Sequence, residues 1–171
     1  MRRVFFSLYP LNFSLLNLWF PLLLLLPGFA RATTIYVDDD NTSGPWDGTP
    51  EYPYQYIQDG IDAAAHGDTV LVSDGIYTGP RNKNLCITGK AITVALQNGP
   101  DQTIVDCEND GRGFVFVGEN TQGSVLRGFT ITRGAADVGG GIRCGSSVTI
   151  MANVLIDNFA PKGGGIFCTG R

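Results

Sequence analysis

Gly139-Gly140-Gly141-Ile142-Arg143-Cys144 is followed, 24 residues on and without a gap, by Gly163-Gly164-Gly165-Ile166-Phe167-Cys168. The same shift carries Leu126 onto Ile150, Ile131 onto Leu155 and Gly134 onto Asn158. A repeat of that length, glycine-rich at one corner and β-branched elsewhere, predicts one turn of a stacked solenoid.

Outward from this pair, short apolar runs at 69–72, 85–88, 91–96, 103–106, 114–117, 124–132 and 147–155, and Ile166 with its flanks, read as strands. Gly, Asn or Asp stands between them, and no pair is joined by the usual two-residue Asn-Gly or Asp-Gly hairpin, which disfavours an antiparallel meander. Alternation gives sidedness. Phe129, Ile131, Asn153 and Leu155 are expected inside, as are Ile142, Cys144, Ile166 and Cys168, which sends Arg143 and Phe167 outward. Asn153 is then an inward polar residue at a corner, where its amide can satisfy backbone groups of adjacent turns. Upstream, 33–37 reads as a strand ended by Asp38-Asp39-Asp40-Asn41, and an irregular loop follows to Tyr56. Ile57, Ile61, Ala64 and Ala65 mark one face of a short helix closed by His66-Gly67, placed as a lid over the open end of the stack.

The N-terminus reads as a leader. Arg2 and Arg3 precede an apolar stretch ending at Leu26, Pro27-Gly28 breaks it, and Ala30-Arg31-Ala32 offers a small-residue cleavage pattern. Cleavage would start the mature chain at Thr33. The alternative is an uncleaved membrane anchor over 13–30, against which Pro21, Pro27 and the cleavage pattern speak. No Cys follows closely enough for lipid anchoring. The organisation expected is therefore 1–32 signal peptide, 33–68 strand, loop and capping helix, and 69–171 solenoid coils.

Removing Arg2, Arg3 and Arg31 from the 12 Lys and Arg leaves nine against 16 Asp and Glu, a net charge of −7. An acidic surface without a basic stripe disfavours nucleic acid as a partner. The four Cys lack metal-site spacing. Cys86 and Cys107 lie 21 apart, Cys144 and Cys168 lie 24 apart, and each pair is expected to stack on neighbouring coils about 4.8 Å apart. A buried thiol ladder is the favoured state, with disulfides in an oxidising compartment as the alternative.

The phrases Gly128-Phe129-Thr130-Ile131-Thr132-Arg133-Gly134, Gly-Gly-Gly-Ile, and Val148 to Asn158 resemble the right-handed parallel β-helix repeat of pectate lyases and other pectin-lyase-like proteins. Ile57-Gln58-Asp59-Gly60-Ile61-Asp62-Ala63-Ala64, then Gly67-Asp68-Thr69-Val70-Leu71-Val72 and Asp74-Gly75-Ile76-Tyr77, is similar to the N-terminal cap helix and first coil of that group. The glycine triplets and Leu155-x-x-Asn158 also resemble the repeats of polymorphic outer-membrane proteins. The resemblance implies an all-β, right-handed parallel β-helix with an N-terminal capping helix. The chain stops just after a repeat's strand, so a C-terminally truncated stack, the front part of a longer protein, is expected.

The resemblance further implies that any catalysis would be polysaccharide lysis, with acidic Ca²⁺ ligands and a basic residue on one outer face, or glycoside hydrolysis by paired carboxylates. Asp106, Glu108 and Asp110 could offer oxygens to one Ca²⁺; the alternative is a solvated turn. Asp38 to Asp40 has the same two readings. Asp137 and Asp157 fall at different repeat positions and form no acid–base pair, and no Ser-His-Asp arrangement is present. The single His, His66, suits a helix terminator better than a base. No catalytic residue is assigned. Arg143 and Phe167, with Arg127 and Arg133 nearby, are the candidate ligand contacts, since an aromatic beside guanidinium groups can stack on a sugar and bond its hydroxyls or carboxylate. The function expected is a secreted or cell-surface scaffold and binding surface for polysaccharide or another extracellular polymer. The alternatives are a lyase or hydrolase whose catalytic residues lie beyond residue 171, and an adhesin-like structural array.

Overall fold

A computed structural model describes residues 31–145 and 147–169. The expected leader lies outside these residues apart from Arg31 and Ala32. No helix among the described residues is long and apolar enough to cross a membrane.

The described strands pair in parallel, in three sheets. Sheet A runs β1 (Thr34–Val37), β2 (Thr69–Val72), β5 (Thr93–Leu96), β8 (Val125–Arg127), β11 (Thr149–Met151). Sheet B holds β3 (Gly75–Tyr77), β6 (Thr103–Asp106), β9 (Thr130–Thr132) and β12 (Val154–Ile156). Sheet C holds β4 (Leu85–Thr88), β7 (Phe114–Val117), β10 (Ile142–Cys144) and β13 (Ile166–Cys168). The chain visits A, B and C in turn and returns to A one rung further on. The result is a parallel β-solenoid of about four turns. The two glycine-triplet strands are direct neighbours, with Ile142 opposite Ile166, Arg143 opposite Phe167 and Cys144 opposite Cys168.

Alternation decides what each rung buries, because successive side chains on a strand point to opposite faces. On sheet A the inward column runs Ile35, Val70, Val94, Leu126, Ile150. On sheet B it runs Tyr77, Val105, Ile131, Leu155. On sheet C two columns run Leu85, Phe114, Ile142, Ile166 and Ile87, Phe116, Cys144, Cys168. Residues of the middle rungs in these columns are fully buried, whereas Ile166 is 40% exposed although its side chain belongs to the same inward column. Phe129 enters from the corner between β8 and β9 and packs on Phe114, ring centroids 5.3 Å apart and tilted by 57°. Each such burial contributes on the order of 1.5–3 kcal/mol relative to exposure.

Two strand expectations need correction. The runs 124–132 and 147–155 are not single strands: each bends from sheet A to sheet B at Gly128-Phe129 and Ala152-Asn153. Gly128 (φ 93°) and Ala152 (φ 53°) both take left-handed backbone at this bend. Asn153 secures it as expected, its Oδ1 accepting from the Phe129 N–H at 3.0 Å and its Nδ2 donating to the Leu126 carbonyl at 2.9 Å. Asn158 repeats the device at the next corner, between the Gly134 N–H and the Ile131 carbonyl, both 2.8 Å. One rung of backbone is thus tied to the next by side-chain amides where the ladder itself is interrupted.

The cysteine expectation is also corrected. Cys144 and Cys168 are joined by a disulfide across 24 residues, with Cα atoms 4.4 Å apart. Cys86 and Cys107 do not stack at all. Cys86 stands in β4 opposite Val115, while Cys107 follows β6 of another sheet, because their spacing of 21 falls short of the longer turns in that part of the chain.

The helix α1 (Ile57–Ala63) buries Ile57 and Ile61 against β1, β2 and β4. The preceding strand, β1, already lies on β2, so sheet A begins before the helix. The Ile57 N–H finds Asn82 Oδ1 at 2.9 Å, and the Lys90 ammonium donates to the carbonyls of Ile61, Asp62 and Ala64. Gln58 Oε1 accepts from the Cys86 N–H at 2.8 Å, meeting a backbone group on the outer side of β4 that no further strand pairs.

Candidate functional site

The three sheets place the four expected ligand contacts on three sides of the coil. Arg127 ends β8 on sheet A. Arg133 follows β9 of sheet B in left-handed backbone, φ 53°. Arg143 and Phe167 lie one above the other on the outer face of sheet C, in a column that continues through Val115 to Cys86. Arg143 is exposed and Phe167 half-buried. The geometry therefore unites Arg143 with Phe167 and separates both from Arg127 and Arg133.

Charge pairing separates them further. Arg133 is committed to Asp106, its Nε donating to Oδ1 at 2.7 Å and its Nη2 bonding Oδ2 as well. This two-point hydrogen bond holds the Asp106 carboxyl below its ordinary range and raises Arg133. Arg81 pairs with Asp59 and Asp62, and Arg112 with Asp137 at 2.7 Å. Among the described residues Arg127 and Arg143 enter no ion pair.

The proposed calcium ligands are similarly engaged. Lys83 reaches Glu108 at 3.0 Å and Asp110 at 3.1 Å, and its hydrogen bond holds Glu108 below the usual carboxylate range. Asp106 is tied to Arg133, and Glu108 and Asn109 both take positive φ to bring the turn round. A calcium ion would have to displace both cations, and no group of three or more metal-ligating side chains converges among the described residues. The donor set as folded is a charge-paired turn. The other acidic run is also a structural turn: the Asp39 carboxylate sits where a Cβ on Gly75 would be, and burial raises its pKa, with Asp40 adding to the effect.

Thiol and imidazole chemistry is muted. Burial pushes Cys107 up to about 12 and raises Cys86, so both stay protonated near neutrality. His66 stands just beyond the helix and accepts from the Ala91 N–H through Nδ1 at 3.3 Å. Asp137 accepts from Arg112 and from the Val138 N–H.

The sequence did not point to a groove at the corner of sheets A and B. In three rungs that corner is two residues long: 73–74, 128–129 and 152–153. In the rung of β5 it runs from 97 to 102. The longer turn lines, with Arg127, Gly128, Met151 and Ala152, an open depression of about 200 Å³. Its signal was present in the spacing: Val94 to Leu126 is 32 residues, where Leu126 to Ile150 is 24.

No protein-family model matches this chain, and neither a curated protein nor a solved structure matches it.

Proposed function

We propose that the chain is an exported, right-handed parallel β-helix protein of the pectin-lyase-like kind, with α1 closing its N-terminal end, and that it is a binding surface for extracellular polysaccharide. The observation that carries this reading is the column on sheet C, where an unpaired guanidinium, Arg143, sits one rung above an aromatic ring, Phe167. A ring edge or face offers stacking area to the apolar side of a sugar, and the guanidinium donates to hydroxyls or a carboxylate on the same unit. Rungs repeat about every 4.8 Å, so a flat parallel sheet presents these groups along a line that an extended polymer can follow. Residues 1–32 supply the export signal in this reading, and the disulfide between Cys144 and Cys168 suits an oxidising compartment.

Affinity electrophoresis through gels containing neutral and uronic-acid polysaccharides tests this. At least one polymer is expected to retard the wild type, with Arg143→Ala and Phe167→Ala each reducing retardation while leaving the melting temperature within about 2 °C, as for surface substitutions. Unchanged retardation in both variants would remove the sheet C column as the site. Calcium-dependent release of unsaturated product from polyuronic acids, followed by ultraviolet absorbance, would replace the scaffold reading with a lyase.

A further inference from the structure

The groove at the corner of sheets A and B is independent of the sheet C column and has a different chemistry. Its floor and walls are aliphatic: Leu96, Pro100, Met151 and Ala152, with Gly128 between them. The cavity exists partly because residue 128 has no side chain. A Cβ there would lie 3.3 Å from Cγ and Cδ1 of Leu96, and the left-handed backbone of Gly128 (φ 93°) already selects glycine. The groove's polar side chains are Arg127 and Asn98. Arg127 has no ion-pair partner among the described residues, and the Asn98 amide donates to Asp74 Oδ2 at 2.8 Å. No carboxylate is among the lining residues; Asp74, the carboxylate bonded to Asn98, stands behind that amide, which takes up one of its oxygens.

We propose that this groove binds a small monocarboxylate whose hydrocarbon body is about the size of a leucine side chain. The aliphatic lining takes the hydrocarbon, and Arg127 pairs with the carboxylate at the mouth. A volume of about 200 Å³ is below the range of drug-sized ligands and suits a single compact group. Sugars fit badly, because no aromatic side chain lines the groove to stack on a ring. Arg81, Arg112 and Arg133 are each neutralised by an aspartate, whereas Arg127, like Arg143 on sheet C, enters no ion pair among the described residues, and in this recess it is the group that supplies anion selectivity.

The chain contains two methionines, Met1 and Met151, so a ¹³C-methyl methionine label places a directly assignable reporter in the groove wall. Titration of the full chain with 4-methylpentanoate is expected to shift the Met151 methyl resonance saturably. The isosteric neutral amide, 4-methylpentanamide, should bind at least about tenfold more weakly, since a charge-assisted hydrogen bond is worth roughly a factor of ten or more. Arg127→Gln should produce the same loss for the acid with no change for the amide and an unaltered melting temperature. Arg143→Ala should leave the titration as it is, which separates this site from the polysaccharide reading. Equal binding of acid and amide, indifference to Arg127→Gln, tighter binding of galacturonate, or no saturable shift at millimolar acid would each overturn the assignment.

Discussion

Asp68 is 6% exposed and uses both carboxylate oxygens on backbone: Oδ1 accepts from the Thr33 N–H and Oδ2 from the Ala65 N–H, each at 2.8 Å. Burial pushes its pKa up, but the two N–H donors outweigh that and hold the carboxyl below its ordinary value. The proton therefore prefers the unfolded chain. Stability from this group is fully present above the unfolded pKa of about 3.9 and is lost as pH falls through the lower folded value. Asp68→Ala should cost about 2 kcal/mol at neutral pH, because two backbone donors lose their acceptor in a buried place. Asp68→Asn should also lessen the acid-induced loss of stability measured by urea titration between about pH 5 and 2. Asp106 and Glu108 are shifted in the same direction, so the slope shrinks and does not vanish. Parallel acid profiles for wild type and Asp68→Asn would assign the slope to those other carboxylates alone. At this scale the sequence was informative where register fixed the side of the strand, as for Asn153, and silent about Asp68, whose partners lie 35 and 3 residues away.

At the scale of elements, the glycine triplet explains itself through contact between backbones. A Cβ on Gly140 would strike the Phe159 carbonyl oxygen and lie 2.7 Å from that of Gly164, while Gly139 and Gly163 take φ of 60° and 62°. Gly140→Ala pushes two stacked turns apart and should lower stability by about 2–3 kcal/mol, read as a shift in the urea midpoint. The neighbouring disulfide closes a 24-residue interval, for which chain entropy gives about 3 kcal/mol. Thiol titration of the denatured, unreduced chain should therefore find Cys86 and Cys107 only, and reductant should lower the melting temperature. Four reactive thiols would mean that Cys144 and Cys168 stack as free thiols. The 24-residue shift made β10 and β13 legible as neighbours, since equal spacing brings equal residues into register. The bends at Gly128 and Ala152 were not legible, because strong β-formers continue through both corners and hide the change of sheet. β3 is hard to read as a strand for the opposite reason: three residues beginning with glycine carry little β signal. The groove's residues are ordinary apolar types that acquire meaning only under the long turn at 97–102.

For the whole molecule, the topology makes energetic coupling nearly one-dimensional, since among the described residues each strand pairs only with strands of the adjacent rungs. The inward column of sheet A offers a direct test. Leu126 and Ile150 are register partners on adjacent rungs, whereas Val70 and Ile150 are separated by the rungs of Val94 and Leu126, roughly 14 Å at the parallel-strand spacing. Leu126→Ala removes a fully buried side chain and should cost about 3 kcal/mol, and Val70→Ala less because fewer atoms are lost. When each is combined with Ile150→Val, the adjacent pair should depart from additivity by at least about 0.5 kcal/mol, because the cavity at 126 loosens the wall that Ile150 packs on. The distant pair should add within about 0.3–0.5 kcal/mol. Urea titrations of the three single and two double variants against wild type supply all the terms. Coupling of equal size in both pairs would mean that rungs three apart share strain directly, and a stack of independent neighbours would no longer describe this molecule.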